Sequence, residues 1–450
     1  MKRLPTDYVN RMKQLLGDEY PLYEKALNEP PVKAIRVNTD KISLEDFEKL
    51  NIFGTEKIPY VKNGFYLNYE KIGNHPYHHA GMIYVQEPAA MAPAECLRIE
   101  TDWKILDMCA APGGKSSQLK NKLGEKGLLV SNEIIPSRCK ILTGNIERLG
   151  LKNTVTTCMD TGRLANAFPK TFDMIMVDAP CSGEGMFRKE QIAIDEWSYE
   201  NVLKCAERQA EILENAAKCL KNGGYIVYAT CTFSVEENEM TIDRFLEAHP
   251  DFEIIAVNPT VAAYTSDGIK FEGCKCENIG YSRRFYPHKA KGEGQFMAVL
   301  HNKNAPVSEY TKTLAKPFNN PIVTAFLDDT LTDYKPENII DMNGAPVYFT
   351  PDFEIKNATV FSCGITIGEI KKNFIKPHHQ FFMGMGDKFR RKIELSPDSE
   401  RLKKYLHGEE IETDCPDGWA VVTVDGCAVG GAKVVSGVAK NHYPKGLRIN

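Results

Sequence analysis

Phe172-Asp173-Met174-Ile175-Met176-Val177-Asp178-Ala179-Pro180-Cys181-Ser182-Gly183 is the stretch on which the fold turns: an apolar run stops abruptly at a carboxylate, a proline and a thiol. A short, continuous apolar run bounded by turn residues is the pattern of a strand covered on both faces, as in a parallel sheet. In open α/β sheets, ligands bind beyond the carboxyl ends of such strands. A second run, Tyr225-Ile226-Val227-Tyr228-Ala229-Thr230-Cys231-Thr232, ends in the same style fifty residues later. Two cysteines and an aspartate are therefore expected at one rim.

Working outward, strands alternate with helices from about 100 to 302. Strands are expected at 104–108, 127–133, 154–159, 172–177, 224–229 and 294–300, with helices at 116–123, 136–149 and about 200–220. This is the pattern of a parallel sheet with crossover helices, a doubly wound α/β domain. Before it, 1–95 reads as a small α+β module. An amphipathic helix from Tyr8 to Leu16 is closed by Gly17, Ala34 to Asn38 is a short strand, a helix covers 44–50, and Gly64 to Leu67 is another strand. His75-Pro76-Tyr77-His78-His79-Ala80-Gly81 reads as a polar loop, and Ala89 to Leu97 as a helix leading into the next domain. After 302, Pro306, Pro317 and Pro321 mark a linker at 303–325. Runs of β type at 346–361 and 419–437, with a helix near 399–406, suit one or two small mixed domains.

Composition bounds the function classes. At 450 residues, 42% hydrophobic and 26% charged, the chain is a globular protein of two to four domains. No run of eighteen apolar residues occurs and Met1 to Asp7 has no apolar core, so neither a membrane span nor a secretory signal is expected. Thirteen cysteines, an odd number scattered without dense spacing, indicate a reducing cytoplasm. Cys274-Lys275-Cys276, the only close pair, lacks histidine partners at ligand spacing, so no metal is expected. The net charge of −4 argues against coating nucleic acid by bulk electrostatics. From Lys371 onward, however, 14 Lys+Arg stand against 10 Asp+Glu, a local +4 suited to phosphates, against −8 for the rest.

Asp107-Met108-Cys109-Ala110-Ala111-Pro112-Gly113-Gly114-Lys115 sits where the first strand hands over to a helix. Small residues there let backbone amides approach a ligand. The spacing is neither Gly-x-Gly-x-x-Gly nor a P-loop, which disfavours NAD and ATP. Glu133 closes the second strand, placed to accept from a ribose diol, and Asp160 closes the third, placed to accept from an adenine amino group. Three strands ending in acids suggest an adenosine ligand without a polyphosphate. A lone cysteine is more often a small buried hydrophobe, a reading that serves Cys96, Cys139, Cys158, Cys205 and Cys219. Cys181 and Cys231 instead sit among turn residues, where a cation such as Lys115 can activate a thiol.

The set Asp107 to Lys115, Asp178 to Gly183 and Ala229 to Asn238, with Arg284-Phe285-Tyr286-Pro287-His288 and Gly294-Gln295-Phe296, resembles the Sun and nucleolar-protein family of RNA (cytosine-5) methyltransferases. Ile35-Arg36-Val37-Asn38, Tyr84-Val85-Gln86-Glu87 and Asn441 to Arg448 extend the resemblance to a bacterial branch acting on small-subunit ribosomal RNA, the RsmF type. The resemblance implies a Rossmann-like class I S-adenosylmethionine-dependent core at 96–302, with a mostly parallel seven-stranded sheet. It also implies an N-terminal RNA-binding accessory domain at 1–95 and a C-terminal RNA-binding region at 326–450, PUA-like toward its end.

By the same resemblance Cys231 is the nucleophile that adds to carbon 6 of cytosine, and Cys181 helps release the product. Asp178 bonds ring nitrogen 3 and the exocyclic amine, and Lys115 steadies the base and the thiolate. The cofactor site it implies is Cys109, Ala110, Ala111, Pro112, Gly113, Gly114, Lys115, Glu133, Arg138, Asp160 and Asp178. The expected substrate is 16S ribosomal RNA or the small subunit, bound by a cytoplasmic monomer. Three rivals stand beside this: the same chemistry on transfer RNA, nucleophilic attack by the Pro-Cys thiol as in DNA cytosine methyltransferases, and a ribosome-assembly factor without turnover. N-methylation of adenine is disfavoured, since the fourth strand ends in Asp-Ala-Pro-Cys and not Asn-Pro-Pro-aromatic.

Overall fold

Short apolar strands flanked by amphipathic helices open the chain. The computed structural model describes residues 4–54, 56–69, 71–305, 318–342, 344–350, 353 and 358–449. The first helix, Thr6–Leu16, buries Tyr8 and Met12 on one face and stops at Gly17, whose φ is 51°. Strands β1 (Ala34–Val37), β2 (Gly64–Tyr66) and β3 (Ile83–Val85) make a small antiparallel sheet in the order β2-β1-β3.

The 75–81 stretch is not the polar loop its composition suggests. Pro76–His79 is a short helix, Tyr77 is buried with its hydroxyl on Asp425 (2.6 Å), and His79 meets the Tyr443 hydroxyl at 2.9 Å. Burial pushes His78 down to about 3 and His79 to about 4, so both are uncharged at neutral pH. Docking against the C-terminal region makes this segment a joint, which local composition does not encode.

The central sheet follows. Strands β4 (Lys104–Asp107), β5 (Leu128–Asn132), β6 (Thr154–Thr157), β7 (Phe172–Asp178) and β8 (Leu220–Thr230) run parallel in the order β6-β5-β4-β7-β8. The sequence pattern omits β9 (Phe252–Ile255), β10 (Ser266–Asp267) and β11 (Arg283–Phe285). The last strand of the set, β12 (Gln295–Asn302), lies antiparallel to β8, and its far side takes β9 at one end and β11 at the other. Counting β9 and β12 gives the mostly parallel seven-stranded core; with β10, β11 and a later strand at Val360–Cys363, the sheet has ten strands among the described residues.

The chain winds outward from β4 to β6 on one side and from β7 to β8 on the other. The switch point lies between β4 and β7, where a crevice opens at the carboxyl rim. Both faces of the sheet are covered. Leu106, Ile175, Val177 and Ile226 pack with Ile212, Leu213 and Ala216 of the Tyr199–Cys219 helix, while Ile105, Met174, Met176 and Val227 pack with Leu119 and Leu123. Each such side chain contributes roughly 1.5–3 kcal/mol by burial, which holds the rim rigid.

Beyond 302, residues 306–317 of the expected linker lie outside the described residues, and a helix begins at Pro321. Strands β13 (Ile339–Met342) and β14 (Ala345–Tyr348) form a hairpin, then β15 (Val360–Cys363) returns to pair antiparallel with β6. Parts of the β run expected at 346–361, namely 351–352 and 354–357, lie outside the described residues. A five-stranded sheet containing Gly418–Val424 and Cys427–Val435 closes the chain, with the helix Glu400–His407 beside it. Among the described residues no helix is long and apolar enough to cross a membrane.

Candidate active site at the carboxyl rim

Register brings the two thiols together. Asp178 of β7 lies opposite Ala229 of β8, and the Ala179 amide donates to the Ala229 carbonyl at 2.9 Å, so the chains leaving both strands run side by side. Cys181 Sγ and Cys231 Sγ end 3.2 Å apart, both free and both partly exposed. The Cys181 thiol is held well above its ordinary range, first by the Cys231 sulfur and then by burial. It keeps its proton while Cys231 is beside it.

Lys115 reaches the same point from the other side of the switch. Its ammonium donates to Asp178 Oδ2 at 2.8 Å and is 8% exposed. Burial alone would lower it; Asp178, and then Cys231, hold it above the ordinary lysine value. The cation thus faces both a carboxylate and a thiol. The four residues expected to react, Cys181, Cys231, Asp178 and Lys115, form one cluster.

A buried scaffold behind the thiols sets their spacing. Glu237 accepts from the Ser182 amide (2.9 Å), from the Ser182 hydroxyl, and from Gln209 Nε2 (2.9 Å), while Gln209 also donates to the Pro180 carbonyl. The Ser182 and Thr232 hydroxyls pair at 2.9 Å, tying one turn to the other. Asn238 accepts from the Thr230 hydroxyl and donates to the Thr232 carbonyl. Glu184 accepts from Trp197 Nε1 and the Phe233 amide, and the Gly185 amide donates to the Cys231 carbonyl at 2.8 Å.

Sequence reasoning missed Glu237, Glu184 and Gln209 as site builders. A signal exists for Gln209: on the Tyr199–Cys219 helix it interrupts the buried stripe Val202, Cys205, Ala206, Ile212 and Leu213. A polar residue inside an apolar stripe needs partners, and here they are the two turns.

The 109–114 loop lies along the ends of β4 and β5. The Ala110 amide donates to the Asn132 carbonyl at 2.8 Å, Asn145 donates to the Pro112 carbonyl, and Ala111–Pro112 is a cis peptide. Arg138 bridges Glu133 (3.2 Å) and the Ala111 carbonyl (3.1 Å). Gly113 has a φ of 111°, a conformation side chains resist. Asp107, fully buried, accepts from Ser116 at 2.6 Å through one oxygen, while the other has no partner among the described residues. Burial raises it to about 7. Asp160 instead caps the Thr161–Ala167 helix through the Arg163 amide and is hydrogen-bonded to neither cluster. Cys109 lies partly exposed on this loop. Of the cysteines read as structural, Cys96, Cys139, Cys205 and Cys219 are buried and Cys158 is half-buried.

The outer motifs also converge. Arg36 of β1, buried, donates to Gln86, Asn121 and the Gly114 carbonyl, which fastens the N-terminal sheet to the helix carrying Lys115. That buried link is why Ile35 to Asn38 and Tyr84 to Glu87 accompany the core motifs.

Comparison with known proteins agrees along the chain. The family model described as 16S rRNA methyltransferase RsmB/F matches residues 94–301, the N-terminal domain of 16S rRNA methyltransferase RsmF matches 4–88, and the methyltransferase RsmF PUA domain matches 392–449. Proteins named ribosomal RNA small subunit methyltransferase F from Psychromonas ingrahamii and Aeromonas salmonicida are similar to it. The first is 30% identical over 99% of this chain and 97% of its own; the second is 31% identical over 93% and 91%. Among solved structures, a methyltransferase homolog protein from Pyrococcus horikoshii is 30% identical, with a TM-score of 0.56 over 65% of this chain and 93% of that one. With paired rim thiols, a mostly parallel methyltransferase sheet and full-length relatives, this chain belongs to the RsmF-type family of 16S rRNA methyltransferases.

Proposed function

We propose that this chain transfers a methyl group from S-adenosylmethionine to carbon 5 of cytidine in the RNA of the small ribosomal subunit, with Cys231 as the nucleophile. The observation that carries the reading is the sulfur pair at 3.2 Å beside the Lys115–Asp178 ion pair. Carbon 5 of cytosine is a poor nucleophile. Addition of the Cys231 thiolate to carbon 6 breaks aromaticity and loads carbon 5 with electron density. Lys115 steadies the base and the attacking sulfur and holds Asp178 in place to bond ring nitrogen 3 and the exocyclic amine, offsetting the charge that develops there.

The residues present fit the cofactor. A buried Asp107 oxygen lacks a hydrogen-bond partner among the described residues, Glu133 directly follows β5, and Cys109, Pro112 and Gly114 of the 109–114 loop are at least partly exposed. The 109–115 segment, Glu133, Arg138, Asp160 and Asp178 would hold it, and when bound it supplies an electrophilic methyl group. Cys181 acts after addition. Once the Cys231 sulfur beside it is a neutral thioether, Cys181, partly exposed at the rim, passes its own proton to solvent and as a thiolate takes the one on carbon 5. Loss of the carbon 5 proton restores aromaticity and expels Cys231. The target base must leave its stack at a cost of a few kcal/mol, which favours a loop. The enzyme is read as a cytoplasmic monomer.

Trapping with RNA containing 5-fluorocytidine tests the assignment. Cys181→Ser is expected to form the covalent adduct and Cys231→Ser is not; the reverse result makes Cys181 the nucleophile. Bisulfite mapping of RNA from cells lacking the protein is expected to lose 5-methylcytidine in 16S ribosomal RNA. Loss confined to transfer RNA would reassign the substrate.

A further inference from the structure

At the opposite edge of the sheet, below the amino ends of β5 and β6, the N-terminal, central and C-terminal parts of the chain meet around a cleft of about 470 Å³. Five lysines and four carboxylates line it. Lys388 is paired with Asp333 at 3.2 Å and Lys335 lies 3.6 Å from Glu125, which accounts for two of each. Lys41, Lys120 and Lys152 then face Asp40 and Asp387.

Neither remaining carboxylate comes within hydrogen-bond reach of these lysines: Lys120 stands 3.9 Å from Asp40, and Lys152 stands 3.8 Å from Asp387. Lys120 is 5% exposed, yet its ammonium makes no hydrogen bond among the described residues. The Lys41 ammonium donates to one backbone carbonyl, that of Met383. Burial lowers Lys41 to about 8 and also lowers Lys120, with Lys152 repelling both. An ammonium drawn out of water and only loosely paired is costly, and three around one gap, Lys120 buried and the other two partly exposed, lower that cost most simply by sharing an anion.

We propose that this three-way cleft is a binding site for a phosphate group, held by Lys41, Lys120 and Lys152. Two sources share that chemistry: a phosphodiester of the RNA substrate, reaching round the edge of the sheet, or free inorganic phosphate. The site stands apart from the methyl-transfer reading, because its lining shares no residue with the rim.

The test uses the full chain, Lys120→Met and Lys152→Met, the latter half-exposed and expected to fold normally. Calorimetric titration with inorganic phosphate, against chloride at matched ionic strength, is expected to show binding that each variant weakens about tenfold. In parallel, the salt dependence of binding to unmodified 16S RNA is measured. A slope shallower by about 0.7–0.9 in the variants assigns the site to an RNA phosphate. An unchanged slope with lost phosphate binding assigns it to the free ion. If neither measurement responds to either variant, the proposal is wrong and the cleft is a hydrated junction.

Discussion

The two thiols differ by what stands next to them. Cys231 faces the Lys115 ammonium, whereas Cys181 faces Cys231 and is backed by the carboxyl group of Glu237 and the hydroxyl pair of Ser182 and Thr232. Sequence spacing announced both cysteines but not this division, because the division comes from groups on other strands and helices. Glu237 carries a testable consequence. Burial raises it to about 7 from an ordinary 4.5, so the folded state favours its protonated form. Its contribution to stability is complete below about 4.5 and is lost as pH rises through about 7. Glu237→Gln is therefore expected to flatten the fall in stability across that window, measured by urea denaturation at several pH values. Asp107 and Glu147, also raised to about 7, leave a residual slope. An unchanged wild-type slope in the variant would show that Glu237 does not titrate there.

At the scale of elements, the long apolar strands β7 and β8 and the amphipathic helices were legible because each carries its own period over five or more residues. The short strands β9, β10 and β11 were not; β10 and β11 lie in polar, irregular sequence without an apolar run of their own, and pairing with a neighbour makes all three strands. The loops behind Cys231 are positioned by backbone contact. A Cβ at Gly185 would sit 2.6 Å from the Gly294 carbonyl oxygen and 2.9 Å from that of Cys231. Backbone on both sides cannot yield cheaply. Gly185→Ala is expected to cost about 1–3 kcal/mol of stability and to reduce methyl transfer more than cofactor affinity. Denaturation and equilibrium cofactor binding measured on the same protein check this; loss of both functions in parallel would point to general unfolding.

For the whole molecule, the central sheet is finished by a strand from far along the chain. β15 covers the outer edge of β6, and Tyr77, His79 and Lys41 bond to Asp425, Tyr443 and Met383 across the N- and C-terminal parts. A chain cut after residue 305 would leave β6 as an open edge, a template for pairing with another copy. Such a fragment is expected to self-associate at micromolar concentration, whereas the full chain is not, by size-exclusion chromatography with light scattering. A monodisperse fragment would mean that β15 is dispensable for covering that edge.

The sequence by itself determined the parallel core, the strand ends where the two cysteines meet and the family, since these rest on local runs and on motifs complete within ten residues. The tertiary structure alone decided that the sulfurs stand 3.2 Å apart, that Gln209 and Glu237 hold their turns, and that Tyr77 and His79 form a joint with the C-terminal region. Those features depend on groups far apart in the chain, whose burial and partners are set only when the strands and domains pack.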